Sequence, residues 1–194
     1  MKELEALRGI DVYLIDQLLK NRITSESKIL DAGCGNGRNI HYLIKNGLDV
    51  TGIDANPDAV QLLREVYPEK FEHFILSTLE DFTSPLRFDF IICNAVLHFA
   101  RDHEHFSKMF TSLVNHLTPN GIVFIRMTSD IGLKLDQNDR NGIFNLPDHS
   151  ERYLITRTQI NELISKHSLS LLEPVKTVKV EELRSMTTLV LKKN

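Results

Sequence analysis

Ile29-Leu30-Asp31-Ala32-Gly33-Cys34-Gly35-Asn36-Gly37-Arg38 is the stretch on which the fold turns. Lys28 to Ala32 is a short apolar run of the kind that forms a buried strand, and it leads straight into glycines at 33, 35 and 37. Glycine between a strand and a helix lets the backbone bend sharply and approach a ligand, beside the free N–H donors of a helix N-terminus. Such a bend alone is weak evidence, because a tight strand–helix turn can carry no ligand at all. Asp54 strengthens it. This acid ends the next apolar run, Leu48 to Asp54, 23 residues after Asp31 and 21 after Gly33. In this architecture an acid about 20 residues past the glycines accepts hydrogen bonds from ribose hydroxyls. It can also cap the helix that Asn56 and Pro57 begin, and the two roles are compatible.

Working outward, apolar runs keep alternating with segments of helical period, the pattern of βα units around a parallel sheet. Ile40, Leu43 and Ile44 share one helical face; Ala59, Leu62, Leu63 and Val66 share the next. Strands are predicted over 71–77 and 88–94, the latter apolar enough for the sheet centre. Phe106, Met109, Phe110, Leu113 and Leu117 form the longest helical register, and Pro119-Asn120-Gly121 turns the chain into a fifth strand over 122–127. Thr156 and Gln159 have capping-box spacing ahead of Ile160, Leu163 and Ile164. Two final strands, 171–180 and 185–192, have no helix between them and so form an antiparallel pair. The expectation is an α/β, Rossmann-like fold of about seven strands, mostly parallel, with helices on both faces. Residues 1–22 read as an N-terminal helical cap that buries Leu14, Ile15, Leu18 and Leu19. Residues 130–155 read as a polar loop on the substrate side, since loops this long are usually functional.

The 194 residues fit one domain spanning 1–194. A net charge of −3 leaves no electrostatic footprint for nucleic acid or an anionic membrane. Cys34 and Cys93 are too few for a disulfide framework or a thiolate zinc site, and the spacing of His103 and His105 fits no familiar metal set. The charged N-terminus lacks a signal-peptide core and no apolar run is long enough to span a bilayer, so a cytoplasmic protein is expected. Oligomeric state is not legible in the chain.

A dinucleotide site would place a small residue at the third fingerprint position, where this chain has Arg38. Asp31-x-Gly33-Cys34-Gly35-Asn36-Gly37-Arg38-Asn39, followed by Tyr42-Leu43 and Asn46-Gly47-x-Asp49-Val50-Thr51, instead resembles the class I methyltransferases that use S-adenosylmethionine. Within them it is similar to the tellurite-resistance methyltransferases and related small-molecule enzymes. The resemblance implies a Rossmann-like methyltransferase fold and S-adenosylmethionine as cofactor. It also implies that Asp31, Gly33, Cys34 and Gly35 line the methionine part, that Asp54 holds the ribose with Ala55 beside the adenine, and that Asn94 lies near the reacting centre. The acid that often meets the adenine amino group is replaced by Ser77, leaving Glu80, Asp81 or the Leu79 backbone as alternatives.

On this resemblance the acceptor is a small molecule. RNA or protein methylation and non-catalytic cofactor binding are the competing functions, although Asn94-Ala-Val-Leu lacks the Asn/Asp-Pro-Pro-aromatic signature of base-nitrogen methylation. His98, four residues past Asn94, is either a general base or a residue that shapes the pocket. Cys34 has no activating base nearby and is read as a small loop residue. Arg126, in an otherwise apolar strand, meets either an anion or a structural partner. Tyr13, Arg152 and Tyr153 are substrate candidates that could instead, like His149, pack within the covering segments.

Overall fold

The computed structural model describes residue 5, residues 7–133 and residues 141–194. Five parallel strands form the centre: β1 (Lys28–Ala32), β2 (Asp49–Asp54), β3 (Phe74–Leu76), β4 (Phe88–Asn94) and β5 (Leu117–Thr128), in spatial order β3-β2-β1-β4-β5. A small antiparallel pair, β6 (Ile143–Asn145) and β7 (Glu151–Tyr153), lies outside this sheet. At its far edge β8 (Leu169–Leu171) and β9 (Lys176–Val180) both pair with β10 (Arg184–Lys193), which runs antiparallel to β5. Among the described residues the sheet thus has eight strands, because its expected C-terminal outer strand is broken in two near Pro174, which has no N–H to give the ladder.

From β1 the chain moves outward to β2 and β3, then returns to place β4 on the other side of β1. Crossovers therefore diverge at the C-terminal ends of β1 and β4, opening the crevice where such sheets bind ligands. Both faces of the central strands are covered, so Ile29, Leu30, Phe90, Ile91 and Ile92 are wholly buried. Helices α1 (Val12–Leu19), α2 (His41–Lys45) and α3 (Pro57–Val66) supply Leu14, Leu43 and Leu63 to one face. Helices α4 (His103–Asn115) and α5 (Arg157–Lys166) supply Phe106, Phe110 and Leu163 to the other. Thr156 and Gln159 do form a reciprocal capping box on α5.

Three local expectations are corrected. Among the described residues the N-terminal cap is not one continuous helix: Gly9 turns at φ +91° and the Asp11 carboxylate accepts from the Tyr13 N–H, so α1 starts at Val12; residues 1–4 and 6 lie outside the described residues. Leu19 is exposed, and Gln17 is buried in its place because its amide reaches the Tyr13 carbonyl and Glu173. On α3 the buried face is Ala59, Val60 and Leu63, which leaves Leu62 and Val66 largely in solvent. Finally, segment 130–155 is not a plain loop. Where described it contains the β6–β7 pair, and Tyr153, Leu154 and Ile155 are buried against the core; residues 134–140 lie outside the described residues.

Candidate active site

The glycine bend owes its shape to positive φ angles and, at Gly33, to a contact that no larger residue would permit. Gly33 has φ +85°, and a Cβ there would lie 2.2 Å from Val96 Cγ2. Gly35, at φ +50°, has nothing within 4 Å of where its Cβ would point. The Gly33 and Cys34 N–H groups donate to the Ile53 carbonyl, Gly37 to Cys34, and Gly35 to Asp54 Oδ2 at 2.8 Å. The helix starts only at His41, past the bend. These four amides are therefore engaged inside the protein and form no phosphate nest, which fits a ligand without a pyrophosphate.

Asp54 joins this bend to α3. Its Oδ1 accepts from the Asn56 N–H at 2.8 Å, while Asn56 itself is the N-cap, accepting from Asp58. Two hydrogen bonds leave a carboxylate with lone pairs to spare. Those pairs face a cleft of about 380 Å³ lined by Gly33, Asp54, Ala55, Leu79, Val96 and Phe99, among others. Ser77, Thr78 and Glu80 also line it, but Asp81 does not; its carboxylate accepts from the Thr78 hydroxyl on the exposed side. Glu80 is held by His105 Nε2 at 2.8 Å. Burial works to raise its pKa, but backbone hydrogen bonding and His105 outweigh that and keep the carboxylate below its ordinary range.

Behind the bend lie two polar side chains with nothing to bond. Asp31 is 1% exposed with both oxygens unpartnered, and Asn94 is buried with both amide atoms unpartnered. Burial pushes the Asp31 carboxyl up to about 7, with the Arg38 charge pulling down and Asp54 adding to the rise. Buried polar atoms without partners are uncommon enough to need a reason, and a bound cationic ligand would supply one. Cys34 is buried and its thiol is raised well above its ordinary range, first by desolvation and then by Asp31 and Asp54, so it is no nucleophile.

A second cavity of about 300 Å³ shares Ala95 with the first. Ala95 itself is held at φ +64°, its N–H donating to the Arg126 carbonyl. His98, Arg126 and Arg152 line this cavity, as anticipated in part; Arg184, which sequence reasoning missed, lines it too. Arg126 finds its structural partner: Nη1 meets Asp11 Oδ2 at 2.7 Å, and the guanidinium lies 5.3 Å from the Tyr13 ring. Tyr13 thus backs Arg126 and does not line the cavity. Tyr153 stands apart from both clefts, wholly buried, stacked on Phe106 and bonded through its hydroxyl to His103 and Gln159. Its place is packing, because an adjacent aromatic and two polar partners fully occupy it.

Residues 30–123, covering both the bend and the Asp54 strand, match the family model described as a methyltransferase domain. The fold is one that solved S-adenosylmethionine-dependent methyltransferases share. Over 117 residues this chain is 30% identical to a ubiquinone biosynthesis O-methyltransferase of Rickettsia typhi, covering 58% of the chain and 46% of the relative. Over 116 residues it is 33% identical to the probable S-adenosyl-L-methionine-dependent methyltransferase TehB of Haemophilus influenzae, covering 57% of the chain and 40% of the relative. The chain thus spans under half the length of these curated relatives. Among solved structures, the 1,6-didemethyltoxoflavin-N1-methyltransferase of Burkholderia thailandensis, with S-adenosylhomocysteine bound, superimposes with a TM-score of 0.70. That likeness covers 97% of this chain and 78% of the other at 18% identity, and so speaks for the fold.

Proposed function

We propose that the protein transfers a methyl group from S-adenosylmethionine to a small-molecule acceptor. The observation that carries this is the Asp54 carboxylate, fixed by the bend amide on one side and the α3 start on the other while facing an open cleft. Asp54 would hold the ribose hydroxyls, and Ala55 and Leu79 would flank the adenine, with Glu80 at the cleft edge. Gly33, Cys34 and Gly35 would give room for the methionine part. Asp31 would take its ammonium and Asn94 would bond its polar end, which would satisfy both orphaned groups. When bound, S-adenosylmethionine supplies a sulfonium methyl: an acceptor lone pair forms the new bond to carbon as the C–S bond breaks and its electron pair stays on sulfur.

The protein's part is alignment and exclusion of water, and orientation of this kind can be worth roughly 7–11 kcal/mol. His98 lines the acceptor-side cavity. Burial first, then the charges of Arg152 and Arg184, lower its pKa to about 4. It is neutral at pH 7 and too weak a base to suit an alcohol, so its role is to hydrogen-bond the acceptor. Residues 1–194 act as one catalytic unit, and two buried free thiols suit a reducing cytoplasmic setting. The named relatives, a ubiquinone-pathway enzyme among them, favour a small acceptor over RNA or protein.

The test is calorimetry with S-adenosylhomocysteine, followed by a radiolabelled methyl-transfer screen of thiols, carboxylates, amines and phenols. Binding with turnover of one class supports the proposal. Binding without any turnover marks a non-catalytic module, and no binding removes the cofactor site altogether.

The Asp31 site makes a pH prediction. Its carboxyl titrates near 7 in the free protein against 3.8 ordinarily, so the folded state holds the extra proton. The stability this confers is complete below about pH 4 and disappears as pH rises through 7. An ammonium ligand prefers the carboxylate. Affinity for S-adenosylhomocysteine is therefore expected to rise about tenfold between pH 6 and 8, following the ionised fraction of a group titrating near 7. Calorimetry across that range checks it, and in Asp31→Asn the profile should be flat.

A further inference from the structure

Among the cavities, the one beyond Ala95 differs in character. Three arginines line it, Arg126, Arg152 and Arg184, against one carboxylate, Asp148. Arg126 is neutralised by Asp11. Arg184 reaches Asp148 only at 3.4 Å, and the hydroxyl and N–H of Ser150 already engage that same carboxylate. Arg152 forms no direct ion pair among the described residues, although the charge of Asp148 acts on it from a distance; its guanidinium donates to the Glu151 carbonyl and lies 4.8 Å over the exposed Phe99 ring. His98, buried and neutral, adds no charge, but its Nδ1 is unpartnered. Leu146, Val180 and Met186 complete the lining with apolar surface.

A guanidinium in a cleft without a full counter-charge is the usual means of gripping a carboxylate, through two parallel N–H donors. From this, and resting on the methyl-transfer reading above, we propose that the acceptor is a small organic acid. Arg152 and Arg184 bind its anionic group, the apolar wall holds its carbon body, and its acceptor atom faces Ala95. The cavity of about 300 Å³ lies at the lower limit of those that enclose small ligands, roughly 300–1,000 Å³. Anchoring at the far end supplies orientation without a base, in keeping with the weak basicity of His98. Arg152 and Arg184 are then positioning residues for the acceptor and have no part in holding the cofactor.

The experiment is competitive binding on the full chain, with and without saturating S-adenosylhomocysteine. The probes are benzoate, salicylate and 3-phenylpropionate, each beside its uncharged primary amide, and inorganic phosphate. At least one acid should bind tenfold or more tightly than its amide. That preference should vanish in the Arg152→Gln/Arg184→Gln double variant and be retained in part by Arg184→Lys, with the melting temperature of each unchanged. Equal binding of every acid and its amide overturns the proposal, as does a preference that survives in the double variant. Phosphate binding as tightly as the best acid would mean an inorganic oxyanion site and overturns the organic body. Failure of S-adenosylhomocysteine to bind, with acid selectivity intact, would strike the methyl-transfer reading alone.

Discussion

Asp54→Ala is expected to weaken S-adenosylhomocysteine binding about 10- to 150-fold, the equivalent of the roughly 1.5–3 kcal/mol carried by hydrogen bonds to a charged group. The carboxylate is the one acidic group shared by the bend, the start of α3 and the cleft. Its removal also strips the Gly35 and Asn56 N–H groups of their acceptor, so a stability loss of about 1–2 kcal/mol should accompany the binding defect. Asp54→Asn keeps one acceptor oxygen and should fall between. Calorimetry and urea unfolding on the same preparations separate the two effects. Unaltered affinity in a folded Asp54→Ala protein would show that the ribose is held elsewhere.

Gly33→Ala is the second large effect, and it acts through the fold. An alanine at φ +85° is strained by about 1–3 kcal/mol. Its Cβ would also stand 2.2 Å from Val96 Cγ2, a clash that forces the bend or the 95–99 turn to move, at about 1–3 kcal/mol more. Together these correspond to a melting-temperature drop of roughly 4–24 °C for a chain of this size. Because Val96 also lines the cleft, cofactor affinity should fall in parallel. The double variant Gly33→Ala/Val96→Ala removes the clash with Cγ2 but not the backbone strain, so it should recover part of the loss. A Gly33→Ala protein that melts with the wild type would mean the bend is looser than its contacts indicate.

These two residues were legible in the chain because their signal is local. A strand, a glycine bend and an acid one βα unit later are set by spacing along the sequence, and glycine announces a backbone that other residues cannot follow. Arg126 was legible only as a question: a guanidinium in an apolar strand needs a partner, and nothing near 126 in sequence identified Asp11. Leu19 and Leu62 were placed inside by periodicity yet stand outside, since a helix of 8 or 10 residues has several apolar faces to offer and the neighbours choose among them. Tyr153 carried no mark separating a packing aromatic from a ligand contact until Phe106 and His103 were seen against it.

The order of residues by itself determined the alternating strands and helices, the bend at Gly33–Gly37 and the acid at 54, all products of short-range sterics and of periods of two and 3.6 residues. Only the tertiary structure decided that Arg184, from the last strand, joins Arg152 and His98 around one cavity. Those side chains come from segments up to 86 positions apart. Their meeting depends on how β4, β7 and β10 come together across the open end of the sheet, which no local pattern encodes.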